Sequence, residues 1–333
     1  MPGKENLEKP RILLITGGTG SLGRVLVRAL IDAEAWQEIR VFSRDEHKQA
    51  LMKRQFPQAK LRMVLGDVRD RNRLQQALRG CTHVVHLAAL KHVPACEAHP
   101  SEAVHTNVLG ALHLVETAIE AGVERFGFIS TDKAVSPLNL YGATKLVAEK
   151  IFMAGNHAQG QTTRFFGIRF GNFFGSRGDV ISLFRAQRKQ GVLTLTDSRM
   201  TRFWISLEDA AKFAVDYGLN GSMDAILIPK MRSLHLTSLA QALAPECQTQ
   251  ELGRRSGEKL HELLISQDEA HLVRDLGSFY GLFDNETKAN LSQGKPVPAE
   301  FQWRSDLNDR WWDQAQLQHL LEAQDSSDET AWE

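Results

Sequence analysis

The sequence runs to 333 residues, and its 40 Lys+Arg balance its 40 Asp+Glu, which argues against a nucleic-acid-binding surface while leaving room for a local basic pocket. At 42% hydrophobic and 24% charged, it has the make-up of a globular chain large enough for one α/β domain, or a nucleotide domain with a smaller companion. Three scattered cysteines (Cys81, Cys96, Cys247) speak against a disulfide framework or zinc site; a polar start and no run of about 18 apolar residues lead us to expect a cytoplasmic protein with no membrane partner.

In chain order, the apolar run RILLIT at 11–16 predicts a buried parallel strand ending in GGTGSLG, after which RVLVRALIDA repeats apolar residues at helical spacing. Further strands are predicted at 39–43 (IRVFS), 61–65 (LRMVL), 82–89 (THVVHLAA) and 125–131 (RFGFIST). Helical stretches lie between them, among them AVHTNVLGALHLVETAIEA at 103–121. Strand alternating with helix implies right-handed βαβ units and an α/β, Rossmann-type doubly wound parallel sheet. After about residue 172 glycine-rich turns loosen the pattern. SLEDAAKFAVDYGL (206–219) reads as a helix and AILIPK (225–230) as a strand. The tail from 301, with Trp303, Trp311 and Trp312, holds an amphipathic helix before a frayed DSSDETAWE. We therefore expect a dinucleotide-binding domain over 1–172 and a smaller, mainly substrate-binding region over 173–333, with the chain crossing back near 200–230.

Gly17, Gly20 and Gly23 form a G-x-x-G-x-x-G between the first strand and the first helix. Glycines there permit a tight turn and let the backbone approach a pyrophosphate seated at the helix N-terminus. The end of the second strand selects the dinucleotide. An NAD enzyme usually places a carboxylate there; this chain places Ser43-Arg44, which suits the 2′-phosphate of NADP, although Asp45 follows. Asp67 after the third strand is placed to reach the adenine. Ala88, Ala89 and Lys91 end the fourth, beside the pyrophosphate and nicotinamide ribose.

Tyr141 and Lys145 stand four residues apart and so share one helical face. A phenol is a poor base at neutral pH, but a neighbouring ammonium lowers its pKa, so that it can take an alcohol proton while hydride leaves the same carbon. Asp132-Lys133, nine residues before the tyrosine, adds an acid and an amine that simple hydride transfer does not need. His83, His86, His92 and His99 lack any metal-ligand spacing, and no metal is expected.

TGGTGSLG and YGATK together resemble the extended short-chain dehydrogenase/reductases. AALKHVPACEAHP, STDKAVSPLNLYGATK, RFGNFFGSRGDVISLF, MTRFWISLEDA and RRSGEKLHE resemble, more narrowly, the inverting UDP-N-acetylglucosamine 4,6-dehydratases that begin pseudaminic acid biosynthesis, from about residue 11 to 320. The chain departs from that pattern at Asp179, Ser182 and Ser256, near the expected sugar-nucleotide pocket.

The resemblance implies a tightly bound NADP recycled within each turnover. Tyr141, supported by Lys145, would take the 4-hydroxyl proton as hydride leaves C4; the resulting ketone acidifies H5. It further implies Lys133 as the C5 base and reprotonating acid, Asp132 as helper in expelling the 6-hydroxyl, and Thr131 as partner of the 4-oxygen. Thr19, Ser21, Leu22, Lys48 and Val68 complete the implied dinucleotide contacts. Lys91, Asn172, Arg177, Val180, Thr201, Arg202, Arg255 and Glu258 join Thr131, Lys133 and Tyr141 as implied contacts to UDP-N-acetylglucosamine. A homo-oligomer is implied, built from dimers and extending to a hexamer. Two other readings share the glycine loop and Tyr141/Lys145: a nucleotide-sugar 4-epimerase or oxidoreductase, with no use for Asp132-Lys133, and a non-catalytic NADP-sensing protein.

Overall fold

A computed structural model describes residues 10–57 and 60–328, with side chains described to 322; the extreme start and the last residues of the tail expected to fray lie outside the described residues. The first half alternates as its hydrophobic pattern demands: β1 (Ile12–Thr16), α1 (Ser21–Asp32), β2 (Glu38–Ser43), α2 (Glu46–Gln55), β3 (Leu61–Leu65), α3 (Arg71–Leu78) and β4 (His83–His86). There follow α4 (Val93–Ala98), α5 (Pro100–Val104), α6 (Gly110–Glu120), β5 (Arg125–Thr131), α7 (Leu140–Gly155) and β6 (Arg164–Phe170). Leu13, Leu14 and Ile15 of β1 have no exposed surface, the signature of a strand covered by helices on both faces. The strands pair in parallel in the order β6-β5-β4-β1-β2-β3. The order reverses at β1, which has β2 on one side and β4 on the other, and the carboxyl ends of the strands at such a reversal are where ligands bind in open α/β sheets.

The second half returns to this sheet. Ile226–Pro229 lies parallel beside β6, and Phe279–Leu282, Val273–Asp275 and Lys295–Pro296 extend it antiparallel to ten strands. A separate three-stranded sheet joins β7 (Asn172–Phe173) with Thr201–Ile205 and Arg232–His235. Over it a second hydrophobic core gathers Phe174, Phe184 on α8 (Val180–Arg188), Trp204, Leu239 and Leu317. No helix among the described residues is long and apolar enough to cross a membrane.

Local expectations are refined at four places. The strand predicted over 82–89 ends at His86, because the chain turns out of the sheet and Asn107 bonds both the N–H and the carbonyl of Leu90 (2.8 and 2.9 Å). The helix predicted over 103–121 contains a π turn at His105–Leu109, which swings Asn107 inward to make those bonds. The helix at 206–219 likewise passes into a π turn at Ala214–Leu219. In the tail the helix begins only at Gln314; Trp303 sits in a short strand, and Trp311 and Trp312 pack against His235 and Phe174 before the helix starts.

Candidate active site

The loop after β1 is built for close approach. Gly17 has φ +69°, and a Cβ there would lie 2.7 Å from the backbone nitrogen of Ala88; a Cβ on Gly23 would lie 2.5 Å from the carbonyl of Gly18. Gly20 is the N-cap of α1 and supplies no side-chain cap, so the first N–H groups of a twelve-residue helix are left for an anion. Thr19 and Leu22 are buried around this turn, and the Ser21 hydroxyl accepts from the backbone N–H of Arg177 at 3.1 Å, tying the later half of the chain to the glycine loop. These residues fit a dinucleotide pyrophosphate.

At the end of β2, the hydroxyl of Ser43 accepts from Gln49. Asp45 caps α2 through the N–H of Lys48 (2.9 Å) and pairs with the Lys48 ammonium (2.6 Å). That carboxylate is therefore committed, and Lys48 with it. Arg44 is exposed, 3.7 Å from Asp67, whose carboxylate also binds Arg69. Val68 is buried against Gly110 of α6. Ala88 and Ala89 line the exit from β4, and Lys91 stands exposed beyond them, within electrostatic reach of Lys133, Arg177 and Asp179.

Thr131 ends β5, and Asp132–Ala134 forms a single 3₁₀ turn before α7. Asn139 caps α7 by accepting from the N–H of Gly142 (2.8 Å). A Cβ on Gly142 would lie only 2.1 Å from the carbonyl oxygen of Lys133, so α7 can press against this turn only with glycine there. Packing brings the acid, the amine and the phenol together. Asp132 is fully buried; its Oδ1 accepts from Thr131 Oγ1 and Lys133 Nζ, both at 2.9 Å, while its Oδ2 has no partner. Lys133 Nζ also donates to Asn172 Oδ1 at 3.3 Å.

Burial pushes the Tyr141 phenol up to about 12, against the pull of the Lys133 charge and the Thr131 hydroxyl. Among the charges around the phenol, Lys133 lowers its pKa, while the Lys145 ammonium one turn along α7 donates to the carbonyl of Ile129 at 2.6 Å. Burial brings Lys145 itself down to about 8, with Glu149 opposing. Asp132 is held above the usual carboxylate range by burial, against Lys133. Lys133 is held above its ordinary value, because Asp132 and Glu262 together outweigh the cost of burying its charge.

Asn172, on β7, meets the pair directly. Thr201 and Arg202, on the strand Thr201–Ile205, are both buried. The Thr201 hydroxyl bonds His261 and Ser305, and the Arg202 guanidinium donates to the carbonyls of Thr201 (2.7 Å), Lys259 and Leu260 (3.0 Å each). These bonds tie the Thr201–Ile205 strand to the 259–261 segment and to Ser305, while Arg202 Nε lies 3.9 Å from the Glu262 carboxylate. Arg177, Val180, Arg255 and Glu258 come from loops and a helix start in the second half of the chain. Arg177 is exposed, Arg255 is open and 3.9 Å from Glu258, and one Glu258 oxygen is buried without a partner. Asp179 caps α8 through the N–H of Ser182 (2.9 Å).

Two residues of the site escape a reading of the sequence. Asn107 donates to Thr144 of α7 as well as holding Leu90. Glu262 follows Lys133 by 129 positions (262 − 133), yet its carboxylate lies 3.9 Å from the Lys133 ammonium. Of the histidines, His86 bonds the Thr16 hydroxyl (2.7 Å) and His83 bonds Thr82, and no cluster among the described residues could hold a metal.

The polysaccharide biosynthesis protein family model matches residues 13–283. The chain belongs to this family. It is 41% identical over 322 residues to the UDP-N-acetylglucosamine 4,6-dehydratase (inverting) of Campylobacter jejuni subsp. jejuni serotype O:23/36, covering 93% of this chain and 96% of that one. It is also 38% identical over 279 residues to the UDP-glucose 4-epimerase of Rickettsia canadensis, covering 81% and 82%. Among solved structures it is similar to Pen from Bacillus thuringiensis, with TM-score 0.87, 32% identity and coverage of 95% and 98%. The dTDP-glucose 4,6-dehydratase DesIV from Streptomyces venezuelae, solved with NAD and TYD bound, gives TM-score 0.68, 26% identity and coverage of 75% and 86%.

Proposed function

We propose that this chain is an inverting nucleotide-sugar 4,6-dehydratase that takes UDP-N-acetylglucosamine to a 4-keto-6-deoxy sugar and supplies pseudaminic acid biosynthesis. The observation that carries the reading is the buried Asp132-Lys133 pair, bonded at 2.9 Å and packed against Tyr141. A 4-epimerase, the activity named for the Rickettsia relative, needs the phenol but not this pair.

A dinucleotide whose pyrophosphate is held at the glycine loop would supply hydride exchange with the sugar, away from C4 and back to C6. Tyr141 takes the 4-hydroxyl proton, with Thr131 beside the developing ketone. The ketone acidifies H5, and Lys133 removes it once its own proton has passed to Asp132, 2.9 Å away. Asp132, whose full burial favours its acid form, protonates the departing 6-hydroxyl through an oxygen that has no other partner. Lys133, whose ammonium hydrogens exchange with solvent, then delivers a proton to the opposite face of C5. The proton that Tyr141 took from the 4-hydroxyl replaces the one carried off in the departing water, so the protein ends each cycle as it began.

NADP is favoured over NAD because Asp45 is committed to capping α2 while Arg44 is open to a 2′-phosphate. Exposed apolar side chains at Val104, Leu109 and Leu112, with Val147 on α7, support a dimer formed through these helices and larger assemblies of such dimers. Incubation with UDP-N-acetylglucosamine and no added dinucleotide tests the reading. We expect a product lighter by one water; an epimeric hexosamine as sole product would overturn it.

A further inference from the structure

Glu262 belongs to the segment that follows Arg255 and Glu258, immediately before the strand Leu263–Ile265. Its carboxylate is almost completely buried. It lies 3.9 Å from Lys133 Nζ, 3.9 Å from Arg202 Nε and 3.5 Å from Lys259 Nζ. The backbone around it is fixed: its N–H donates to Ser305 Oγ at 3.0 Å, and its carbonyl accepts from the N–H of Ser305 at 2.9 Å. Lys259 is anchored in turn by donating to the carbonyl of Val135, just past the Asp132–Ala134 turn. A buried carboxylate among three cations stays ionised.

We propose that Glu262 is a positioning residue that sets how firmly Lys133 holds its proton. The inference rests on the dehydratase reading only for its purpose, since the charge arrangement stands by itself. An ammonium has three donors. Asp132 and Asn172 accept two of them, at 2.9 and 3.3 Å. Glu262, at 3.9 Å, is beyond hydrogen-bond range, so it acts on Lys133 by charge and leaves the third donor position to the substrate carbon. Other charges face the same nitrogen. Asp132 holds the proton, as Glu262 does; Arg202 opposes it, and Lys91 and Tyr141 also lie within electrostatic reach. Arg202, which approaches the same Glu262 oxygen as Lys133, and Lys259, beside the other oxygen, temper its pull, which suits an amine that must both take and return a proton.

The test measures Lys133 itself. Full-length protein carrying ¹³Cε-lysine is titrated by NMR, the Lys133 signal being identified by its loss in Lys133→Arg. In Glu262→Gln the Lys133 pKa should fall by about one unit or more, and in Glu262→Asp it should stay near the wild-type value. Lys259→Met, which frees Glu262 from one counter-ion, should raise it, giving a second reading of opposite sign should Glu262→Gln fail to fold. The pH inflection of solvent deuterium exchange at C5 should move with the titration. An unchanged Lys133 pKa in Glu262→Gln, or in Lys259→Met where that is the variant measured, would overturn the proposal. A shifted pKa with no 4-keto product from the wild type would uphold the role of Glu262 and remove the dehydratase reading instead.

Discussion

Tyr141 is the residue on which both hydride-based readings depend, and its neighbours explain what its loss should do. The phenol is buried and touched by the charge of Lys133. Tyr141→Phe removes one hydroxyl without opening a cavity, so the fold should persist while kcat falls by roughly 10² to 10⁴, the usual range for a general base. Steady-state kinetics beside a thermal melt checks both; turnover equal to wild type would instead support a sensor protein. Arg44 permits a second expectation. Arg44→Ala should weaken NADP binding by roughly 10- to 100-fold and leave NAD nearly unchanged, as titration calorimetry with each dinucleotide would show. At this scale, the residues legible in the sequence were those whose meaning is local: glycines beside a strand end, and a tyrosine and lysine one helical turn apart. Glu262 and Asn107 were not legible, because each acquires its role by folding onto a segment far away in the chain.

Elements hold these groups in register. α7 carries Tyr141 and Lys145, and its first turn rests on the carbonyl of Lys133 at Gly142. Gly142→Ala should push the helix from the 3₁₀ turn and lower kcat more than it lowers stability. Further along, Glu149 of α7 pairs at 2.7 Å with Arg169 of β6, which also binds Glu269 at 2.9 Å, and Arg169 has 1% of its surface exposed. Arg169→Met leaves two carboxylates without their counter-ion and should cost about 3–5 kcal/mol, measurable by denaturant unfolding. The sequence disclosed the strands and helices through their periods of two and 3.6 residues. Periodicity was silent on the π turn at His105–Leu109, where apolar spacing continues although the backbone gains a residue.

For the whole molecule, one shared sheet makes the second half of the chain inseparable from the first. The return of the chain at Ile226–Pro229 and again over 273–282 puts strands of both halves into a single ladder. Local pattern shows that strands exist in the second half, but not which edge they join. Stability should also depend on pH through two core histidines. Burial lowers His83 from 6.5 to about 4 and His86 from 6.5 to about 3. The folded state excludes protons that the unfolded chain takes up, so stability is intact above pH 6.5 and is lost as pH falls toward those values. The loss should approach about 1.4 kcal/mol per pH unit for His86 and be smaller for the less deeply set His83. His86→Asn should therefore remove more than half of it in unfolding titrations.

The most direct measurement follows UDP-N-acetylglucosamine by NMR in D₂O with wild type and Lys133→Ala. We expect the wild type to give a 4-keto-6-deoxy sugar with deuterium at C5 and inverted configuration there, and the variant to incorporate none. Protium kept at C5 by the wild type, or deuterium entering at the normal rate in the variant, would contradict the assignment of Lys133 as the group that moves the C5 proton.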